Sequence, residues 1–320
     1  MSLRYPLVLL IVALLSAQLP AVADEGWDVY LLIGQSNMAG RGPMEPGDTT
    51  DVLPGVWLLD AAGRPEPAVA PLNRYSTIRK ALPLQEVGPG VSFGAEMHRR
   101  TGRRILIVQN ARGGSSIRSW QPGAAAGYID SAIVRTRQAL RYGPLRGICW
   151  HQGETDTPQY GLSGEALDRR WEPENSHADG VVPSGASSPT VSSAPSSPTP
   201  AVSPAASPVA ARVVTPGRYV AMFDTLAAAL RAALGDVPIV VGEVGRWEWA
   251  EASDIALFND STLPAVCRTV PRVVSVSSLG LGRRWEEKPK DPHFSRAAAL
   301  ELGRRYAEAM LSLQSEGAAP

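Results

Sequence analysis

Apolar residues along this chain cluster in short runs that lack a helical period. Five of these runs have strand length: Asp28–Ile33, Arg104–Val108, Leu145–Trp150, Pro238–Val241 and Arg272–Val276, with a weaker one at Gly55–Leu59. Between them, apolar positions recur every three or four residues. Over Gly217–Leu234, Val220, Phe223, Leu226, Ala227 and Leu230 share one face while Arg218 and Arg231 lie off it, which predicts an amphipathic helix. Leu302, Tyr306, Met310 and Leu313 predict a last helix with Ser295 as its cap, and Ile129, Ile133 and Leu140 predict another. Strands that alternate with helices imply a parallel sheet covered on both faces. With right-handed crossovers, the expected fold is α/β, a doubly wound three-layer α/β/α sandwich.

Two segments break this rhythm. The chain opens with a basic Met1-Ser2-Leu3-Arg4, an uncharged apolar stretch from Leu7 to Leu15, and Ala21-Val22-Ala23. This is the pattern of a secretory signal peptide over residues 1–23, with cleavage expected after Ala23 and a secreted or periplasmic destination. The apolar stretch is too short to span a membrane, so no span is expected after cleavage. The other segment, Val181–Val209, has seven prolines, nine serines and no charged residue. It cannot bury enough apolar surface to offset the entropy of ordering, so it reads as a disordered insertion at about 178–211, with flanks reaching back to about Tyr160, in a single domain over 24–320.

Without residues 1–23 the chain carries 30 basic and 31 acidic side chains, which argues against a nucleic-acid partner, since that would require a basic field. Only Cys149 and Cys267 could pair. Cys149 lies inside an apolar strand, where a free buried thiol is common, so no disulfide is expected. Asn259-Asp260-Ser261 has the form of an N-glycosylation acceptor.

The residues suited to chemistry fall where strands end. Ser36, in Gly34-Gln35-Ser36-Asn37-Met38-Ala39-Gly40, follows the first strand and is a candidate nucleophile. His293 is one of four histidines and stands two residues after Asp291, an order that can set a carboxylate against an imidazole N–H. Gly113-Gly114-Ser115-Ser116 follows a strand, and its paired glycines would let backbone N–H groups approach an oxyanion. Trp150-His151-Gln152-Gly153-Glu154-Thr155-Asp156 offers an amide donor, Gln152, and two carboxylates. His151, Glu154 and Asp156 are metal-ligand types, but no second histidine stands at ligand spacing, so no metal is expected. Trp171, Trp247 and Trp249 could stack on sugars or pack the rim, and Arg41, Arg112 and Arg118 could meet an acidic sugar or simply be solvated.

Taken in order, Gly34-Gln35-Ser36-Asn37-Met38, Gly113-Gly114-Ser115-Ser116-Ile117 with Trp120, Trp150 through Asp156, and Asp291-Pro292-His293-Phe294 resemble the blocks of the carbohydrate esterase family 6 and sialate O-acetylesterase-like group of SGNH hydrolases. The second block has Ser115 where threonine is more usual. The resemblance implies a flavodoxin-like parallel sheet with the site at its carboxyl edge. It implies hydrolysis of O-acetyl esters on carbohydrates, acetyl xylan esterase-like or sialate O-acetylesterase-like, without a cofactor. Ser36 would be the nucleophile and His293 the base, with either Asp291 or Glu154 as the orienting acid. The backbone N–H groups of Ser36 and Gly114 and the Gln152 side chain would form the oxyanion hole. The competing expectation is a non-catalytic glycan-binding protein on the same fold, which would lack the nucleophile or the base. Protein partners are unknown from sequence.

Overall fold

A computed structural model describes residues 26–157 and 214–316. The expected signal peptide, the Pro/Ser-rich insertion and Trp171 lie outside the described residues. The strands are β1 (Trp27–Gly34), β2 (Val56–Leu59), β3 (Pro65–Pro67), β4 (Arg104–Gln109), β5 (Leu145–His151), β6 (Ile239–Gly242) and β7 (Val273–Val276). They form one sheet in the order β3-β2-β4-β1-β5-β6-β7. Every pairing is parallel except that of β2 with β3, so the sheet is mixed at one edge. The β3 segment, Pro65-Glu66-Pro67, lacks the apolar run of a buried strand and was not expected from sequence. Prolines are tolerated there because the strand lies at the edge.

The helices are α1 (Ser36–Ala39), α2 (Gly90–Thr101), α3 (Tyr128–Ala139), α4 (Pro216–Leu234), α5 (Ala252–Ala256), α6 (Leu263–Thr269) and α7 (Arg296–Glu316), with a π turn over Leu257–Thr262 joining α5 to α6. The α4 and α7 helices follow the expected apolar faces, with Phe223, Leu226 and Leu230 buried in one and Leu302, Tyr306 and Met310 in the other. Ser295 caps α7 by accepting the Ala298 N–H at 3.2 Å. Sequence reading did not single out α2. Its boundary signals were Pro89-Gly90 at the start and Gly102, left-handed at φ 68°, at the end.

Alternation along β1 explains the three layers. Val29, Leu31 and Ile33 join the core under α3, α4 and α6, while Tyr30 and Leu32 join the core under α2 and α7. All five are at most 1 % exposed, as expected of a strand buried on both faces. Cys149 is buried, and both cysteines are free, as expected. Asn259 is 2 % exposed, and its side chain bonds the Val244 N–H and C=O, each at 3.0 Å. That corrects its reading as a glycosylation acceptor, because a sealed amide is not open to modification. Among the described residues no helix is long and apolar enough to cross a membrane.

The chain leaves β1 toward β2 and β4 on one side, then crosses to β5, β6 and β7 on the other. The carboxyl ends of β1 and β5 therefore flank a topological switch point, where α/β sheets bind ligands.

The α7 helix crosses α2 closely at Gly303, where a Cβ would lie 2.1 Å from Pro89 O. We expect Gly303→Ala to destabilise the fold by about 1–3 kcal/mol in urea unfolding, as overpacked cores do. Gly217→Ala, whose Cβ would meet nothing within 4 Å, should be neutral or gain up to about 1 kcal/mol from helix propensity.

Candidate active site

The turn after β1 depends on Gly34. Its φ is +131°, and a Cβ there would lie 2.1 Å from His151 O on β5. Without a side chain, the chain closes on the end of β5 and Gln35 N–H bonds His151 O at 2.8 Å. Gln35 then turns its Oε1 to the β5 loop, accepting Gly153 N–H at 3.4 Å and Thr155 N–H at 3.2 Å. This sets Ser36, 5 % exposed, at the head of α1.

Ser36 Oγ lies 3.0 Å from His293 Nε2, although the two residues are 257 positions apart. On the other side of the ring, Nδ1 lies 2.6 Å from Asp291 Oδ1. That contact is close but bent, short of a well-aligned hydrogen bond. The same oxygen accepts the His293 backbone N–H at 2.8 Å, which fixes the carboxylate beside the ring. A carboxylate can only accept, so it favours the tautomer with the proton on Nδ1 and leaves Nε2 to accept from Ser36. Burial raises the Asp291 carboxyl, but its bonds to His293 and the Arg284 charge hold it below the usual value.

Glu154, the alternative acid, is placed elsewhere. It is buried behind the β1 turn, and its Oε1 accepts from Asn37 Nδ2 and, at 3.0 Å, from His151 Nε2. His151 Nδ1 lies 3.1 Å from the Tyr306 hydroxyl, whose single proton goes to Trp150 O at 2.8 Å. A carboxylate only accepts, so His151 Nε2 donates to Glu154, and the Tyr306 hydroxyl holds the other side of the ring. Burial raises the Glu154 carboxyl, but the His151 charge and the hydrogen bonds from His151 and Asn37 bring it below its ordinary value.

The Gly113-Gly114 turn comes up beside Ser36. Arg41 Nη2 and Ser36 Cβ both lie within 3.5 Å of the point a Gly113 Cβ would occupy. Gly114 is exposed at φ +73°. Among the described residues nothing engages the N–H of Ser36 or of Gly114. Both donors sent to the oxyanion by sequence reading are thus available.

Gln152 departs from its expected place. Its side chain is fully buried, and Nε2 contacts Asp156 Oδ2 at 2.7 Å, Ser115 O at 3.0 Å and Gln35 Oε1 at 3.3 Å. In this conformation the amide faces these three protein oxygens and not an open oxyanion position. Instead it ties the loops after β1, β4 and β5 together. Asp156 extends the tie by accepting Ile117 N–H at 2.8 Å. Asp156 faces these donors rather than joining His151 and Glu154, and burial pushes its carboxyl up.

The candidate arginines divide. Arg112 bonds Ile78 O and Arg79 O and so anchors a loop, while Arg118 lies near the Asp156 charge. Arg41 is only 7 % exposed, not solvated, and its Nη1 bonds Gly40 O at 2.6 Å. Burial pulls its pKa down to about 10, so it stays charged at neutral pH. Trp247 bonds Asp291 O at 2.9 Å and stacks edge-on against Phe294, and Trp249 bonds Gly245 O at 2.8 Å. Both therefore have structural contacts at the rim. The sequence motif contained Asn37, but sequence reading gave it no role; here it bonds Glu154, Pro292 O and Phe294 N–H. Its only signal in the sequence was its place beside Ser36.

Comparison with known proteins bears on this geometry. The chain matches the family described as carbohydrate esterase, sialic acid-specific acetylesterase over residues 26–165 and 211–312. It is 28% identical over 148 residues to a probable carbohydrate esterase of Arabidopsis thaliana, a match covering 40% of this chain and 54% of that relative. The chain therefore spans about half the length of this relative. Among solved structures, an Arabidopsis thaliana protein is similar with a TM-score of 0.58 at 20% identity, covering 89% of this chain and 98% of its own. NanS is similar with a TM-score of 0.56 at 18% identity, covering 91% and 98%. A carbohydrate acetylesterase from Xanthomonas citri gives 0.52 at 18% identity, covering 90% and 56%. At these identities the solved structures establish a shared fold.

The depressed carboxyls of Glu154 and Asp291 have a consequence for stability. Each contributes stability that is full above its ordinary value, 4.5 and 3.8, and is lost as pH falls through its lower folded value. Asp156, with its raised carboxyl, has the opposite sign: its contribution is full below 3.8 and declines as pH rises toward its folded value. We expect urea-unfolding series at pH steps below the ordinary Glu154 value to lose stability less steeply in Glu154→Gln than in the wild type. An equal slope would show that Glu154 is not held ionised.

Proposed function

The chain belongs to the carbohydrate esterase family of sialic acid-specific acetylesterases, and on that premise we propose that it is an exported serine esterase that hydrolyses O-acetyl esters on carbohydrates. The observation that carries this reading is the line from Ser36 Oγ to His293 Nε2 at 3.0 Å and from Nδ1 to Asp291 at 2.6 Å. Export rests on the residue pattern of positions 1–23.

In the proposed reaction His293 Nε2 takes the Ser36 proton as Oγ attacks the acetyl carbonyl carbon. The negative charge that develops on the carbonyl oxygen meets the N–H groups of Ser36 and Gly114. Arg41 adds positive potential beside them and has no carboxylate partner within 4.0 Å among the described residues. Preorganised donors of this kind are each worth about 2.7–4 kcal/mol of barrier. Collapse of the intermediate expels the sugar oxygen, which takes the proton from His293, and leaves an acetyl group on Ser36. Water, deprotonated by the same histidine, then releases acetate and restores the serine. The chain's own residues can supply each of these proton transfers. A non-catalytic glycan binder has no need of the Ser36–His293–Asp291 line.

The test is release of acetate from p-nitrophenyl acetate. We expect Ser36→Ala to fall to the background rate, and Asp291→Asn to lose about 10²-fold or more in kcat, since an asparagine can stabilise the wrong imidazole tautomer. Equal rates for wild type and Ser36→Ala would reject the serine mechanism. Acetylated xylan and 9-O-acetylated sialic acid, assayed side by side, identify the carbohydrate.

A further inference from the structure

Glu154 and Asn37 touch neither ring nitrogen of His293, yet together they hold both peptide groups that flank it. Asn37 Nδ2 donates to Glu154 Oε1 and to Pro292 O at 3.1 Å, and Asn37 Oδ1 accepts Phe294 N–H at 3.2 Å. Asn37 is 3 % exposed and Glu154 is 4 % exposed, so water does not substitute for these partners. We infer that Glu154, through Asn37, is a positioning device that holds the His293 loop against the serine turn and thereby sets the distance between Ser36 Oγ and His293 Nε2. The inference rests on the proposed role of Ser36 and His293 as the hydrolytic pair.

The carboxylate's charge gives the device its direction. An asparagine amide can sit either way round, since its oxygen and nitrogen are nearly the same size. Reversed, Asn37 would set Oδ1 against Glu154 and against Pro292 O, and set its NH₂ against Phe294 N–H. All three contacts would then pair acceptor with acceptor or donor with donor. An ionised Glu154 excludes that orientation. Glu154 is in turn held by His151, whose ring is fixed by Tyr306 of α7, the helix that begins just after the His293 loop. The line Tyr306–His151–Glu154–Asn37 thus runs from α7 through the end of β5 to the turn after β1 and returns to residues 292–294. Asn37 is also the next residue after Ser36, so a single side chain joins the carrier of the nucleophile to the carrier of the base.

Asn37→Ala, Glu154→Gln and the double variant test this. A displacement of about 1 Å between reacting groups can cost about 10²-fold in rate. We therefore expect each single variant to lower kcat on p-nitrophenyl acetate by about 10- to 100-fold while KM changes less than about threefold. The double variant should be no worse than the worse single one, because both remove the same device. Asp291→Asn should multiply with either. A second readout needs no substrate: the imidazole ¹⁵N–¹H correlations of His293 should be single in the wild type and broadened or doubled in Asn37→Ala. If Glu154→Gln does not fold, Asn37→Ala still removes the link while leaving the His151–Glu154 pair in place.

Wild-type kcat with a single His293 signal in Asn37→Ala would overturn the inference. So would a Glu154→Gln variant as inactive as Ser36→Ala beside an unimpaired Asp291→Asn, which would make Glu154 the orienting acid. A wild type without esterase activity would reject the proposed function, and the His293 signals would still report on the positioning.

Discussion

Two residues 257 positions apart must meet at 3.0 Å, one in the turn after the first strand and the other in the loop before the last helix. No local propensity can do this. The sheet can, because β1 stands at its centre between β4 and β5 and every parallel strand delivers its carboxyl end to the same edge. Gly34 makes the first contact possible, since any side chain there would collide with His151 O. The buried polar contacts then tie one loop to the next: Gln35 to the β5 loop, Gln152 and Asp156 to the β4 loop, and Asn37 to the His293 loop.

These ties are costly to break one at a time. A buried charge left without its partner typically costs about 3–5 kcal/mol. Such a cost would face the Glu154 carboxylate if its donors were lost, and the site therefore resists partial disassembly. The interior partners also divide the carboxylates by task. Asp291 sits half-open beside His293, Glu154 is sealed and ionised behind the serine turn, and Asp156 is sealed and pushed toward its neutral form. Three acids in the site blocks thus have three different environments, set by which donors face them.

Much of this was legible in the sequence. Both faces of β1 are buried, so its run of apolar residues announced a central strand, and the faces of α4 and α7 followed from their spacing. Ser36, His293, Asp291 and Gly114 were each found at a strand end or helix entry. The resemblance left Glu154 open as an alternative to Asp291 because the sequence keeps both acids, and only the fold shows that Glu154 pairs with His151. Gln152 has the right chemistry for an oxyanion donor, but nothing in a sequence says that Asp156, four residues on, will turn the amide inward. The Asn259 sequon failed for a related reason: a linear motif carries no information on burial. The β3 strand escaped notice because an edge strand with two prolines has neither the apolar run nor the alternation that marks the others.

The central claim is that Ser36 carries the acetyl group between the two halves of the reaction. The most direct measurement is rapid acid quenching of the enzyme during turnover of p-nitrophenyl acetate, followed by mass spectrometry of its peptides. The account predicts one added acetyl group, on Ser36, absent from Ser36→Ala and accumulating in proportion to the initial burst of p-nitrophenol. Steady release of acetate with no acetyl group on Ser36, or with the group on another side chain, would contradict it.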